Sequence, residues 1–303
     1  MRQLIINADD FGLAPSVNEA IVRCFEAGRL SSATLMVNAP SAAEALAHAK
    51  RQLSHTVGLH LNLIHFSPLT DCSLLAGPGG FRGLAALVAE QVLRADALYA
   101  QVRAELEAQL AEFQSATGRT PSHVDSHLWA QVLPAVFQAI VDVATASRIR
   151  AVRNIEGGNP LAALATALRI GGAGPGNAWR STYQAAKAVW FKGQSRWCHY
   201  PERLRSHGLF TPDHYFGVSE GLLYQDVDTR LRVIEACLST LPAVCTSEFM
   251  VHPGGEANPT GVWYRSTDAR IETDTLLSDG LLEVMTRQRV HLRHGYGSGP
   301  KED

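Results

Sequence analysis

The sequence predicts an α/β protein built on a parallel sheet, and three observations carry that prediction. Residues 5–63 alternate short apolar runs with amphipathic segments in the order strand, helix, strand, helix, strand. A long amphipathic stretch from Asp96 to Thr117 then leads into the short run "SHVDSH" at 122–127. Late in the chain, "VDTRLRVIEACLSTL" precedes the strand-like "AVCTSEFMVHPGG", so the alternation resumes. Parallel strands need long crossovers, usually helices, which produces this grammar.

Taken in order, "LIINADDFG" is an apolar strand that ends on Asp9-Asp10 and turns at Phe11-Gly12. Pro15 suits a first helical position, Val17, Ile21, Cys24 and Phe25 share one face, and Gly28 suits the stop. "SATLMVN" (32–38) is β-branched and apolar, and Ser41 with Glu44 has capping-box spacing for a second helix. "TVGLHLNL" (56–63) is a third strand, and the Gly- and Pro-rich residues 68–84 read as a loop. Leu98, Val102, Leu106, Leu110 and Phe113 recur at helical spacing, closed by Gly118 and Pro121. Pro134 starts another apolar helix, "IRAVRN" (149–154) reads as a strand, and "SDGLLEVMTRQRV" is a last helix. Between 157 and 205 the pattern weakens, with Trp179, Trp190, Phe191, Trp197 and Tyr200 in it. This region reads as an insertion or lid over a site, although a helix pair with a Trp-rich core fits equally. With no internal repeat or flexible linker, residues 1–303 are expected to form one domain.

The composition is globular: 46% hydrophobic residues supply a sizeable core, and a net charge of −2 offers nothing to nucleic acid or an anionic membrane. No apolar run approaches the roughly 20 residues of a bilayer-spanning helix. The start, "MRQLIINADD", is too short in its apolar part for a signal peptide, so a cytoplasmic protein is expected. Cys24, Cys72, Cys198, Cys237 and Cys245 form no C-x-x-C pair, which suits reduced thiols filling a core and argues against a cysteine-built zinc site.

In parallel α/β proteins, ligands bind at the carboxyl ends of the strands. Four expected strands end on residues capable of chemistry: Asp9-Asp10, His60, Asp125 with His127, and His252. Adjacent carboxylates repel and are costly to desolvate, so a buried Asp-Asp pair requires a positive partner. One acid and two imidazoles from different strands would hold a divalent cation with open positions, and the other acid would then serve as a base. Each residue alone has a plainer explanation. Asp9-Asp10 could be a solvated turn, His60 in "GLHLNL" a satisfied core histidine, and His252 before Pro253-Gly254 a turn residue. Their coincidence at equivalent strand ends favours the metal, while His65 and His123 read as supporting or surface groups.

"NADDFG", "GLHLNL", "HVDSH" and "VHPG", in that order, resemble the YdjC/ChbG family of carbohydrate deacetylases. The resemblance extends to "TPDHYFG" (211–217) and "RIETDTLLSDGLL" (270–282), and it leaves 157–205 unmatched. "ADDFGLAPSVNEAI" and "SSATLMVNAP" are most similar to the hopanoid-biosynthesis branch called HpnK. The resemblance implies a barrel-like β/α fold with parallel strands, related to NodB-type polysaccharide deacetylases. It also implies a hydrolase that removes acetyl from an N-acetylated amino sugar or glycolipid. Position by position, Asp10, His60 and His127 would bind one divalent metal, Zn or Mg, with Mn or Co compatible. Asp9 would be the general base toward a metal-activated water, and His252 the general acid for the leaving amine. Arg265 or Arg270 of the tail would orient an acid or bind the sugar.

One departure stands out. Where the family places two more histidines after "HVDSH", this chain has Trp129 and Gln131. Alternate strand residues share a face, so both are expected on the side of His127, with Trp129 able to stack on a sugar ring. Two alternatives share the same residues: a metallohydrolase of another amide or ester, and a non-catalytic, metal-containing sugar-binding protein. The presence of both Asp9 and His252 argues against the second. Expected partners are the sugar or glycolipid substrate, without nucleic acid or a transmembrane segment, and the apolar composition is compatible with a homodimer.

Overall fold

A computed structural model describes residues 1–155 apart from Gln52 and Ser54, Gly193, and residues 198–217, 226–255 and 266–296. The chain runs β1 (Arg2–Phe11), α1 (Pro15–Glu26), β2 (Ser32–Leu35), α2 (Ala42–Arg51) and β3 (Val57–Leu61). A small hairpin, β4 (Ala76–Gly77) and β5 (Gly80–Phe81), precedes α3 (Leu84–Leu93) and α4 (Ala95–Thr117). Then come β6 (Val124–Ser126), a tight turn at His127–Val132, α5 (Pro134–Ala146), α6 (Tyr200–Ser206) and β7 (His214–Gly217). The remainder is α7 (Val227–Ser239), β8 (Cys245–Val251), α8 (Ser266–Leu277), α9 (Asp279–Arg287) and β9 (Val290–Leu292).

The strands lie in the order β6-β3-β2-β1-β8-β7, every pair parallel, with β9 alongside the first residues of β1. Single bridges from Val124 to Val152 and from Ala151 to Phe210 carry the sheet beyond β6 to the segment just before β7. The sheet therefore curls into a barrel-like form, the parallel α/β sheet that the sequence pattern predicts in the shape that the family resemblance implies. Its strand alternation divides two environments. Leu4, Ile6 and Ala8 of β1 join the main apolar core against the helices, while Ile5 packs with Ala151 and Tyr296 in a separate small cluster. Asn7 and Asp9 continue the Ile5 side and bond to each other, so the inside of the sheet is apolar at its start and polar at its carboxyl end.

Local chemistry accounts for most of the elements. Pro15 and Pro134 open α1 and α5, and Gly118, at φ 73°, ends α4 in a left-handed cap. Asp226 caps α7 by accepting the Thr229 amide at 2.7 Å. The strand expected at 149–154 shrinks to bridging residues 151 and 152, and the expected loop at 68–84 contains the β4–β5 hairpin. α3 starts behind Gly83, an N-cap residue with no side chain to accept a helix amide. Of the expected lid, Trp179, Trp190, Phe191 and Trp197 lie outside the described residues. Tyr200 is buried, stacked on Phe137 at 3.7 Å and bonded to the Val132 carbonyl. No helix among the described residues is long and apolar enough to cross a membrane.

β3 and β6 approach closely at Gly58, where a Cβ would lie 2.5 Å from the His123 ring and 2.7 Å from the His123 carbonyl oxygen. The ring is held in a stack on Tyr296, and the carbonyl accepts the Leu59 amide and belongs to the sheet. Gly58→Ala is therefore expected to destabilise the protein by about 1–3 kcal/mol, the range for overpacking a filled site. Urea unfolding of both proteins measures it, and equal midpoints would show that β3 and β6 can separate freely.

Candidate functional site

Two adjacent residues of a flat strand point to opposite faces, yet both acids of β1 reach the same site. Asp9 follows the regular alternation inward. Asp10 has a left-handed φ of 63°, and the pairing of β1 with β2 shifts register between Ala8 and Phe11. The next turn is fixed by Gly12, at φ 101°, whose amide donates to the buried Asn18 Oδ1 at 2.8 Å. The bulge redirects Asp10 to the carboxyl end of the sheet.

There Asp10 meets His60 of β3 and His127, the residue after β6. Its Oδ1 lies 3.3 Å from His60 Nε2 and 2.9 Å from His127 Nδ1. One ligand atom from each of these three buried residues falls within 4.8 Å of the others, a spacing that can hold a metal ion. The donor chemistry fits a divalent cation. His60 is oriented for it: its Nδ1 lies 2.6 Å from Asp125 Oδ1, which turns Nε2 toward Asp10. His65 stands on the far side of His127, Nδ1 to Nε2 at 2.8 Å. A second group, Asp9, His60 and Asp125, has comparable spacing. Its two carboxylates, however, are already paired with a guanidinium.

That guanidinium belongs to Arg153, which is buried. It reaches Asp9 Oδ2 and Oδ1 at 2.7 and 2.6 Å, Asp125 Oδ2 at 2.6 Å and Glu248 Oε1 at 2.6 Å. Its cationic carbon sits 5.6 Å from the centre of the Tyr215 ring. Burial alone would raise the Asp9 pKa, but Arg153 outweighs it and, with His60 and His252, holds the carboxyl down to about 2. Burial also works to raise Asp10, and His127 and His60 hold it well below the usual carboxylate range. Glu248 goes the other way. Burial pushes it up to about 7 against the pull of Arg153 and the Tyr296 hydroxyl. Asp9 thus stays ionised in the interior, and Asp10 remains the carboxylate of the pair that Arg153 does not engage.

His252 follows Val251, which pairs with Ala8, so it stands beside Asp9 across β8 and β1. Its backbone is held by α8: Glu272 accepts the His252 amide at 2.7 Å, and Thr273 accepts the Gly254 amide at 2.9 Å. Arg230 of α7 pairs with the same Glu272.

Comparison with known proteins places this arrangement. The family described as YdjC-like protein matches residues 3–287. The chain belongs to the YdjC-like family. It is 33% identical over 264 residues to the carbohydrate deacetylase of Mus musculus, covering 85% of this chain and 79% of that one. It is also 33% identical over 276 residues to the carbohydrate deacetylase of Homo sapiens, covering 88% and 80%. A solved structure of an Enterococcus faecalis protein superposes with a TM-score of 0.69 at 20% identity, over 97% of each chain, and that likeness concerns the fold.

In this YdjC-like chain the turn after β6 departs from the expected alternation. β6 ends at Ser126, and Leu128 and Trp129 have left-handed φ of 51° and 59°, so the strand rule no longer decides where residues 129 and 131 point. Such backbone costs roughly 1–2 kcal/mol per residue and is held by specific bonds. Gln131 turns back to Ser126 and donates to the Arg153 carbonyl at 3.0 Å, while the Trp129 indole donates to the Tyr215 hydroxyl at 2.8 Å. Arg270 lies on the exposed side of α8, 3.8 Å from Asp274, and Arg265 lies outside the described residues. His123 is buried and stacked on Tyr296 at 3.7 Å. Sequence reasoning missed Arg153, Glu248 and Glu272. The available signal for the first two was a lone charge inside an apolar strand-like run, "IRAVRN" and "CTSEFMV".

Glu248 gives the cluster a pH signature. Its native carboxyl keeps a proton up to about pH 7, whereas in the unfolded chain it loses it near the model-peptide value of about 4.5. Between those values the native state binds more protons, so Glu248's contribution to stability declines as pH rises from about 4.5 to 7 and levels off above. Glu248→Gln keeps an acceptor for Arg153 and removes the titration. Urea midpoints from pH 4.5 to 8 are expected to lose that decline in the variant, and identical slopes would show that Glu248 ionises normally.

Proposed function

We propose that this chain is a metal-dependent carbohydrate deacetylase that removes acetyl from an N-acetylated amino sugar. The observation that carries the reading is the pairing of a three-ligand set, Asp10, His60 and His127, with an adjacent carboxylate, Asp9, held ionised by Arg153. The names of the mouse and human relatives, carbohydrate deacetylases both, support the substrate class. Asp10, His60 and His127 would hold a divalent cation, which when bound would supply Lewis-acid polarisation of the acyl carbonyl and acidification of water.

This chain's own residues do the remainder. Asp9 accepts the proton of the attacking water, and its two bonds to Arg153 keep it charged and fixed in direction. His252, across the strand pair, gives a proton to the departing amine. Asp125 holds the His60 ring by Nδ1, and Thr34 holds Asp125 Oδ2 at 3.0 Å. Trp129, two residues along the chain from His127, is the aromatic residue assigned to the sugar.

The test is acetate release from N-acetylated chito-oligosaccharides, monosaccharides and an N-acetylglucosaminyl lipid, with chelated protein and Zn, Mg, Mn or Co added back. Release should vanish on chelation and return with a metal. Asp9→Asn is expected to keep its metal and lose about 10²–10⁴-fold in turnover, the usual worth of a positioned base. His60→Ala should lose metal content and turnover together. Full activity in Asp9→Asn would remove Asp9 from the reaction.

A further inference from the structure

The two imidazoles of the ligand set are supported differently, and the difference points to a positioning residue. We infer that His65 holds the ring of His127 for the metal, as Asp125 holds the ring of His60. This deepens the proposed function and rests on its metal set, Asp10, His60 and His127.

An imidazole that ligates through one nitrogen carries its proton on the other, and that N–H takes an acceptor which fixes the ring. His60 turns Nδ1 to Asp125 Oδ1 and so presents Nε2 beside Asp10. His127 stands the other way round, with Nδ1 at 2.9 Å from Asp10 Oδ1. To serve a cation held with Asp10, His127 Nδ1 must offer its lone pair, so its proton lies on Nε2. The group facing Nε2 is His65 Nδ1, 2.8 Å away, with the two rings edge to face at 61°. His65 then accepts as a neutral ring, its own proton on Nε2. A neutral acceptor adds no charge to a site already holding Asp9, Asp10 and Asp125, where another carboxylate would add repulsion.

The chain fixes His65 by means that do not involve His127. Asn62, buried just after β3, accepts the Ile64 and His65 amides, each at 3.1 Å, and donates to the His65 carbonyl at 2.7 Å. Its own backbone is clamped by Gln109 of α4, which accepts the Asn62 amide and donates to the Asn62 carbonyl. Beyond His65, Phe66 has a left-handed φ of 65°, and its carbonyl accepts the Phe81 amide of β5 at 2.8 Å. Gly80 permits that approach, since a Cβ there would lie 2.3 Å from the Phe66 oxygen. Such backbone persists where its surroundings over-determine it. With its amide and carbonyl both held by one buried side chain, the half-buried His65 ring leaves the turn in a set direction, toward His127.

His65→Leu and His65→Asn are near-isosteric, and only Asn keeps an acceptor at the δ position that Nδ1 occupies. Zinc affinity is read by competition with a chromophoric chelator, without substrate, and His60→Ala reports any zinc bound outside the set. His65→Leu is expected to weaken zinc about 10–100-fold, the usual worth of such a partner, and His65→Asn to recover most of that loss. Urea midpoints of the two metal-free variants should coincide. A midpoint for His65→Leu well below that of His65→Asn would assign the loss to folding and overturn the inference. Zinc affinity in His65→Leu equal to wild type also overturns it and leaves the ligand set standing. So does a His65→Asn variant as weak as His65→Leu, because the acceptor would then not be what matters. Zinc held equally by wild type and His60→Ala, or held by neither, overturns the ligand set and the inference together. No acetate is measured, so failure of the deacetylase reading alone leaves each of these outcomes distinct.

Discussion

The site depends on one buried cation. Arg153 spans Asp9, Asp125 and Glu248, and each of those acids comes from a different strand. Burying four charged groups is expensive, and replacing such clusters with apolar residues often stabilises a protein. A hydrophobic filling would have closed the same space. The arrangement is therefore better understood through what the charges do than through stability. Arg153 allows a carboxylate to remain ionised without solvent beside a second carboxylate that is left open for another cation. It answers the electrostatic difficulty of Asp9-Asp10 in part by itself, before any metal is considered.

Each connection from that centre is short and directional. Asp125 takes Arg153 on one oxygen and His60 on the other, so the guanidinium indirectly sets a ring of the ligand set. Glu248 takes Arg153 on one oxygen and the Tyr296 hydroxyl on the other, tying the centre to the turn after β9. Tyr296 also stacks on His123, the residue whose carbonyl faces Gly58. The contacts run from the Arg153 cluster through Glu248 and Tyr296 to His123 beside Gly58. A disturbance at Gly58 or Tyr296 acts at a distance from the ligands through packed groups that have little room to yield.

Much of this was legible from strand ends. The apolar runs at 5–8, 57–61 and 245–251 announce strands, and the residue that follows or closes each is polar, as a ligand end requires. Two kinds of information were not legible. Arg153 and Glu248 sit mid-run with no spacing motif, and only the three-dimensional closure of the sheet reveals that they meet, at 2.6 Å. Backbone hand was the other. A period of two assumes a flat pleat, and both Asp10 and Trp129 break it with left-handed torsions that no residue type there demands. For Asp10 the break adds an acid to the site, and for residues 129 and 131 it cancels the expected shared face with His127.

That second break changes what Trp129 and Gln131 can do, compared with the strand positions expected of them. If those positions were alternate residues of a strand, their replacement would strip the site of two imidazoles on the His127 face. In the turn they have different work. Gln131 holds the Arg153 carbonyl, and Trp129 bonds the tyrosine that lies under the Arg153 guanidinium. Both substitutions thereby reinforce the cation on which Asp9 depends, and neither contributes an atom to the Asp10, His60 and His127 set. A fold arranged in that way can change the side chains of this turn while the bonds from Arg153 to Asp9 stay in place.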